Sequence, residues 1–131
     1  MGRNRTFAEA EVVAQCAAVF RSTGYEGTSI DDLVQATGLH RGSLYKAFGS
    51  KRGVFLLALR HSAELDGDAS DATDLLLVAL MELAPRDAEI RSIAFEILNA
   101  SVPPHTPQSL GQRLLDRAHK TIAEATPKES A

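Results

Sequence analysis

Apolar residues recur at helical spacing along most of the chain. In the first segment, four of them follow the i, i+3, i+4, i+7 order of a single helix face: Val13, Cys16, Ala17 and Phe20. Thr6 and Glu9 have the spacing of a capping box ahead of this face, and Gly24 follows it as a residue type that commonly ends a helix. The pattern predicts a first helix between Thr6 and Gly24.

Three shorter helices are predicted next. Ser29 and Asp32 repeat the capping-box spacing, and Gly38 ends a short second helix. A third helix is predicted from about Arg41 to Phe48, and Ser50 caps a fourth that runs through residues 51–66. The apolar face of the second helix is formed by Ile30, Leu33 and Val34. The inward face of the fourth is formed by Val54, Leu57, Ala58, His61 and Leu65.

The rest of the chain predicts three further helices. Asp71 opens an apolar run that Pro85 ends, and Asp87 begins the next helix. Thr106 and Pro107 begin the last one as cap and first helical residue, and it leads into a polar tail. The apolar faces of these last two helices are formed by Ile90, Ile93, Ala94, Ile97 and Leu98, and by Leu110, Leu114, Ala118 and Ile122. The expected fold class is all-α.

Composition narrows the class of protein. The 131 residues, 44% of them hydrophobic, suffice for one domain or a small domain with an appendage. No apolar run approaches the ~20 residues of a membrane span, and Glu9 and Glu11 stand where a secretory signal would be apolar. The single cysteine, Cys16, excludes an internal disulfide and suits a reducing compartment. We therefore expect a cytoplasmic protein without a membrane partner.

The charge is distributed unevenly between the two halves. Residues 1–60 carry eight Lys or Arg against five Asp or Glu, whereas residues 61–131 carry six against twelve. The basic half is the candidate for nucleic-acid binding, although an uneven solvated surface would give the same totals. No acidic residue occurs between Gly38 and Leu59, which includes the whole predicted third helix.

The second and third helices have the sequence form of a helix-turn-helix. Two short helices flank a tight turn that contains glycine, and the second is basic and poor in acids. In such a motif the second helix enters the DNA major groove. Leu44 and Phe48 lie at i and i+4 and need only hold this helix against the first two, so its other faces remain free for DNA.

The run GYEGTSIDDLVQATGLHRGSLYKAFGSKRGVFLLAL resembles the DNA-binding domain of the TetR family of bacterial transcriptional regulators. The resemblance covers about residues 6–60. It rests on several linked positions: Phe20, Gly24, Tyr25, Thr28, Ser29, Gly38, Gly42, Leu44, Tyr45, Phe48 and Lys51. It implies an N-terminal three-helix DNA-binding domain over residues 1–50, a connecting helix over 51–66, and a shortened C-terminal helical domain over 67–131.

The resemblance also implies which residues meet DNA. Ser43, Tyr45 and Lys51 match positions that contact phosphates, and Arg41 matches one that can reach base edges. Arginine suits that role because it can pair bidentately with guanine. The position of His40 is usually a capping serine, so His40 is a possible extra contact. The full predicted contact set is Thr28, Ser29, His40, Arg41, Gly42, Ser43, Tyr45, Lys46 and Lys51.

Neither the histidines nor the acids indicate catalysis. His61, His105 and His119 lack partners at metal-ligand spacing, and Asp31 and Asp32 stand in a first helical turn, where acids favour the helix dipole. No nucleophile–base pattern or phosphate-binding glycine loop occurs in the sequence. We therefore expect a protein that is not an enzyme and that has no metal or cofactor.

The short second half leaves two hypotheses open. Family members usually carry a larger C-terminal domain that binds an inducer and dimerises through its last helices. The resemblance thus implies a homodimeric repressor of a palindromic operator, with or without release by a small apolar inducer. The alternative is a protein-interaction module that pairs with a longer family member. Apolar residues at helical spacing form a core far more often than they line a ligand site. The residues that could line an inducer pocket are His61, Leu76, Leu80, Met81, Phe95 and Asn99.

Overall fold

The computed structural model describes the backbone of residues 2–64, 69–100 and 105–129, and the side chains of residues 9–62, 70–100 and 105–119. Over these ranges the chain forms seven α-helices and one π-helical turn, and no strand. The helices are α1 (Gly2–Thr23), α2 (Ile30–Thr37), α3 (Arg41–Phe48), α4 (Lys51–Glu64), α5 (Ala69–Val78), α6 (Ala88–Ala100) and α7 (Pro107–Glu129), and the π turn (Ala79–Leu83) continues α5. The predicted all-α fold is confirmed.

The ends of α2 follow the predicted capping chemistry. Ser29 Oγ accepts a hydrogen bond from Asp32 N at 3.0 Å, and Ser29 N donates to Asp32 Oδ2 at 2.8 Å. At the other end Gly38 adopts φ 75°, and its N–H donates to the carbonyl oxygen of Val34. Because both ends are closed by local partners, this short helix forms where the sequence places it.

Three other predicted ends are wrong. α1 begins at Gly2 and not at Thr6, α5 begins at Ala69 before Asp71, and α7 continues to Glu129 through the residues predicted as a tail. A capping pattern shows where a helix can begin. It marks the first turn only if the residues before it resist helical geometry, because otherwise the helix extends further toward the N-terminus. The predicted caps Asp87 and Thr106 do form, because each accepts from the backbone N–H three residues later.

The core is one continuous hydrophobic cluster built from α1 to α6. Its buried members are Val12, Val13, Cys16, Ala17, Phe20, Leu33, Leu44, Val54, Phe55, Ala58, Leu59, Leu75, Val78, Ala79, Leu83, Ile90 and Ile93. All four residues of the predicted α1 face are among them. Burial raises the pKa of the Cys16 thiol to about 11, so the side chain stays protonated and packs as a small hydrophobe.

The inward face of α4 differs from the prediction. Phe55 and Leu59 are completely buried, whereas Leu57 and His61 are only half-buried. Leu65 lies outside the described residues. The reason is that α4 contacts α1 and α5 as well as α3 and α6, so it has neighbours on several sides and no single apolar stripe. The cluster also crosses the expected domain boundary near residue 66, and the division into domains stays a prediction.

α7 lies on α5 through polar side chains. Arg113 donates to both carboxylate oxygens of Asp74, at 2.6 and 2.8 Å, and Arg117 lies 3.6 Å from the same group. Within the predicted apolar stripe of α7, Leu110 is half-buried and Ala118 is exposed. Leu114 is exposed, and so is the neighbouring Leu115.

Candidate DNA-binding site

The recognition helix α3 is anchored on one side and free on the others. Leu44 is 2% exposed, and Phe48 packs against the core cluster. These two contacts confirm the prediction that Leu44 and Phe48 hold α3 against the rest of the fold. Every other side chain of α3 is exposed, including Tyr45 and Lys46, and the helix contains no acid. The arrangement presents a narrow basic surface to solvent.

The first turn of α3 offers backbone donors. His40 occupies the N-cap position, but its side chain makes no capping hydrogen bond. The first intrahelical bond runs from Leu44 N to His40 O. The N–H groups of Arg41, Gly42 and Ser43 therefore precede the hydrogen-bonded part of the helix and suit an anion such as a phosphate.

Arg41 is paired with an acid of the preceding helix. Its guanidinium donates to the carboxylate of Asp31, and both side chains remain more than half exposed. An exposed pair of this kind contributes little to stability because solvent screens it. It does hold the guanidinium of Arg41 beside α2.

Lys51 is used within the fold. Its Nζ donates to the carbonyl oxygens of Tyr25 and Thr28, each at 3.1 Å, and lies 4.3 Å from the centroid of the Tyr25 ring. An ammonium group has three N–H donors, so one remains for a phosphate. The lysine thus ties the start of α4 to the turn between α1 and α2.

Thr28 is buried in the same turn. Its side chain is 1% exposed, and its hydroxyl donates to the carbonyl oxygen of Gly24 at 2.6 Å. The Thr23 hydroxyl lies 2.6 Å away. This hydroxyl holds the turn, whereas Ser29 is exposed at the start of α2.

Most of the predicted DNA-binding residues are exposed. Seven of them are exposed at the start of α2 or on α3 and its N-cap: Ser29, His40, Arg41, Gly42, Ser43, Tyr45 and Lys46. Ser43 and Lys46 also line an open groove of 490 Å³ between α1 and α3. Of the other two, Thr28 is buried and Lys51 is half-buried.

Several contacts that support the site were missed by sequence reasoning. Glu82 accepts hydrogen bonds from the backbone of Tyr25 and Glu26, and Arg52 forms a two-pronged ion pair with Asp87. The partners lie between 35 and 57 residues apart in the chain. No local spacing pattern can reveal such pairs. The one usable signal was Glu82 itself, because an acid within an otherwise apolar run indicates a polar partner elsewhere in the fold.

The six residues predicted for an inducer pocket lie in different surroundings. Leu76 is buried in the core, whereas Met81 and Phe95 are 59% and 50% exposed. His61 lines a separate groove of 390 Å³ between α1, α4 and α5. Leu80 is half-buried and Asn99 exposed. The structure does not gather these side chains around one cavity.

Comparison with known proteins identifies the family. The family model for bacterial regulatory proteins of the tetR family matches residues 13–58, which include the whole candidate site. The uncharacterized HTH-type transcriptional regulator YezE of Bacillus subtilis is 34% identical over 95% of this chain and 69% of its own length. The chain belongs to the TetR family. The resemblance seen in the sequence is confirmed.

Two repressors from Escherichia coli match smaller shares of this TetR-family chain. The HTH-type transcriptional repressor BdcR is 27% identical over 82% of the chain, and the chain spans only 59% of its length. The repressor ComR is 38% identical over 44% of the chain and 28% of its own length. No solved structure matches the chain significantly.

The family assignment decides the class of activity. TetR-family proteins are DNA-binding transcriptional regulators without enzymatic activity. The predictions of a DNA-binding regulator and of a protein that is not an enzyme are therefore confirmed. Within the described side chains, no three His, Cys, Asp or Glu residues are grouped to hold a metal ion. None of the helices in the described ranges combines the length and the apolar character needed to cross a membrane.

Proposed function

We propose that this TetR-family chain is a homodimeric repressor that reads a palindromic operator with α3. The observation that supports the proposal is the exposure of Arg41, Tyr45 and Lys46 on a helix that Leu44 holds to the core. The related BdcR and ComR are both named as repressors.

The exposed residues divide into base-reading and phosphate-binding roles. Arg41 reads a base edge, because its planar fork can donate twice to guanine O6 and N7. Tyr45 and Lys46 contact phosphates, together with Ser29 and the first N–H groups of α3. Lys51 adds a phosphate contact through its remaining N–H. Thr28 acts only by holding the turn.

Dimerisation uses the outer surfaces of α6 and α7. Phe95 on α6 is 50% exposed, and Leu114 and Leu115 on α7 are 41% and 61% exposed. Large apolar side chains exposed on successive helices favour a protein partner. A two-fold dimer would place two α3 helices about 34 to 36 Å apart, which is one turn of DNA.

Selection from a random duplex library tests the function. The wild-type protein should enrich a sequence with two inverted half-sites, and sedimentation at tens of micromolar should show a dimer without DNA. Enrichment of no sequence would contradict a repressor and favour the alternative of an interaction module. In that case the chain should instead form mixed dimers with a longer family member.

A small apolar inducer remains part of the proposal as an expectation. It would act on α4, which joins the basic surface to the rest of the chain, and would release DNA only by binding the DNA-incompetent arrangement more tightly. Thermal-shift screening of apolar small molecules, followed by operator release, tests this point.

A further inference from the structure

Glu82 reaches from the π turn to the turn between α1 and α2. Its Oε2 accepts a hydrogen bond from Tyr25 N at 3.0 Å, and its Oε1 accepts one from Glu26 N at 2.9 Å. Gly24 makes this approach possible, because it has φ 80° and a Cβ at this position would lie 2.6 Å from Glu82 Oε2. The Glu82 carboxylate therefore binds two neighbouring backbone N–H groups, those of Tyr25 and Glu26.

The same turn is held from its other side by Lys51. Glu82 accepts from N–H groups, whereas the ammonium of Lys51 donates to the carbonyl oxygens of Tyr25 and Thr28. A carboxylate and an ammonium thus hold opposite hydrogen-bonding groups of one short segment. Charged partners make such bonds stronger than neutral ones. The segment leads directly to Ser29, the N-cap of α2.

We propose that Glu82 is a positioning residue for DNA binding, although it lies outside the helix-turn-helix and touches no DNA. By accepting hydrogen bonds from the Tyr25 and Glu26 amides, Glu82 fixes the position at which α2 begins. It also fixes the orientation of the Lys51 side chain at the start of α4. The inference rests on the proposed DNA-binding function. It assigns part of DNA affinity to a residue in the π turn, a type of distortion that is frequent at functional sites.

The expected loss of DNA affinity depends on the fraction of molecules in which the turn between α1 and α2 is ordered. If loss of Glu82 lowers the DNA-competent fraction to about one tenth, the apparent affinity falls about tenfold, equivalent to about 1.4 kcal/mol. No phosphate contact is lost in the bound state. The slope of log affinity against log salt should therefore remain that of the wild type.

The test compares Glu82→Gln and Glu82→Ala with Glu89→Gln. The glutamine keeps one acceptor oxygen, and the alanine keeps none. Glu89, which accepts a hydrogen bond from Arg52 at 2.7 Å, provides the matched control. Glu89→Gln also removes one negative charge but leaves Arg52 bound to Asp87. Affinity is measured on the duplex that the wild type selects, and hydrogen exchange of the Tyr25 and Glu26 amides is measured on the free proteins.

We expect Glu82→Gln to bind several-fold more weakly than Glu89→Gln, Glu82→Ala about tenfold more weakly, and both to show faster exchange at Tyr25 and Glu26. Equal affinities of Glu82→Gln and Glu89→Gln, or a changed salt slope, would overturn the inference while leaving DNA binding intact. A wild type that binds no duplex would instead overturn the proposed function and this inference with it. If Glu82→Ala does not fold, the glutamine variant decides alone.

Discussion

Arg52 and Asp87 form a two-pronged ion pair between the start of α4 and the start of α6. Arg52 Nε lies 2.7 Å from Asp87 Oδ2, and a terminal nitrogen lies 3.0 Å from Oδ1. Asp87 Oδ1 also accepts from Ile90 N and so caps α6. One carboxylate therefore joins the helix that follows the recognition helix to the C-terminal part of the chain.

The pair predicts a specific dependence of stability on pH. Hydrogen bonds from Arg52, and then from the Ile90 amide, lower the pKa of Asp87 to about 2. The pKa in the unfolded chain is about 3.9, so the folded state favours the ionised carboxylate. The contribution of the ionised Asp87 carboxylate to the free energy of unfolding is complete above pH ~4 and is lost as the pH falls toward ~2.

Asp87→Asn should lower the free energy of unfolding by about 1 kcal/mol at pH 7, because the asparagine can still cap α6 but carries no charge. At pH ~2 the difference from the wild type should largely disappear. Urea denaturation at both pH values measures it. A difference that stays constant between them would show that the charge of Asp87 does not stabilise the fold.

Arg113→Ala should destabilise the protein more than Arg117→Ala. Asp74 is only 7% exposed, and Arg113 supplies both short hydrogen bonds to it. Removing that partner leaves a buried carboxylate poorly compensated, which costs about 2 to 4 kcal/mol for a pair that keeps some contact with solvent. Chemical denaturation compares the two variants. Equal losses would mean that the 3.6 Å contact of Arg117 can replace Arg113.

Lys46→Ala and Arg41→Ala should weaken DNA binding in different ways. Loss of a phosphate contact at Lys46 should weaken all duplexes and reduce the salt slope by about 0.9. Arg41→Ala should cost roughly 1 to 3 kcal/mol on the selected operator and relax one base position in each half-site. Titrations of operator and random duplex at several salt concentrations separate these effects. An equal loss on both duplexes for Arg41→Ala would contradict base reading.

His40→Ser should stabilise the protein by about 0.5 to 1 kcal/mol, since a serine can accept from the first turn of α3 and His40 makes no such bond. His40→Ala is the control, because it removes the imidazole without adding a cap. Thermal unfolding measures the gain. If His40→Ser is more stable but binds the operator less tightly than His40→Ala, the new hydroxyl competes with phosphate for the same N–H groups.

The sequence by itself determined that the chain is helical and where the second and third helices lie. The bounds of α2 follow from local capping, and the burial of Leu44 in α3 follows from apolar spacing. Both act over a few residues and leave a readable pattern. The same applies to the exposed basic face of α3, because a helix held by two apolar residues must present its other side chains to solvent.

Only the tertiary structure decided how that surface is held. Lys51 and Thr28 are predicted DNA contacts, and only the fold shows that both also close the turn between α1 and α2. The two amides that donate to Glu82 lie 57 and 56 residues away in the chain, and these bonds form only because the π turn lies against that segment. Hydrogen bonds between distant residues depend on how helices pack, and spacing along the chain carries no record of that packing.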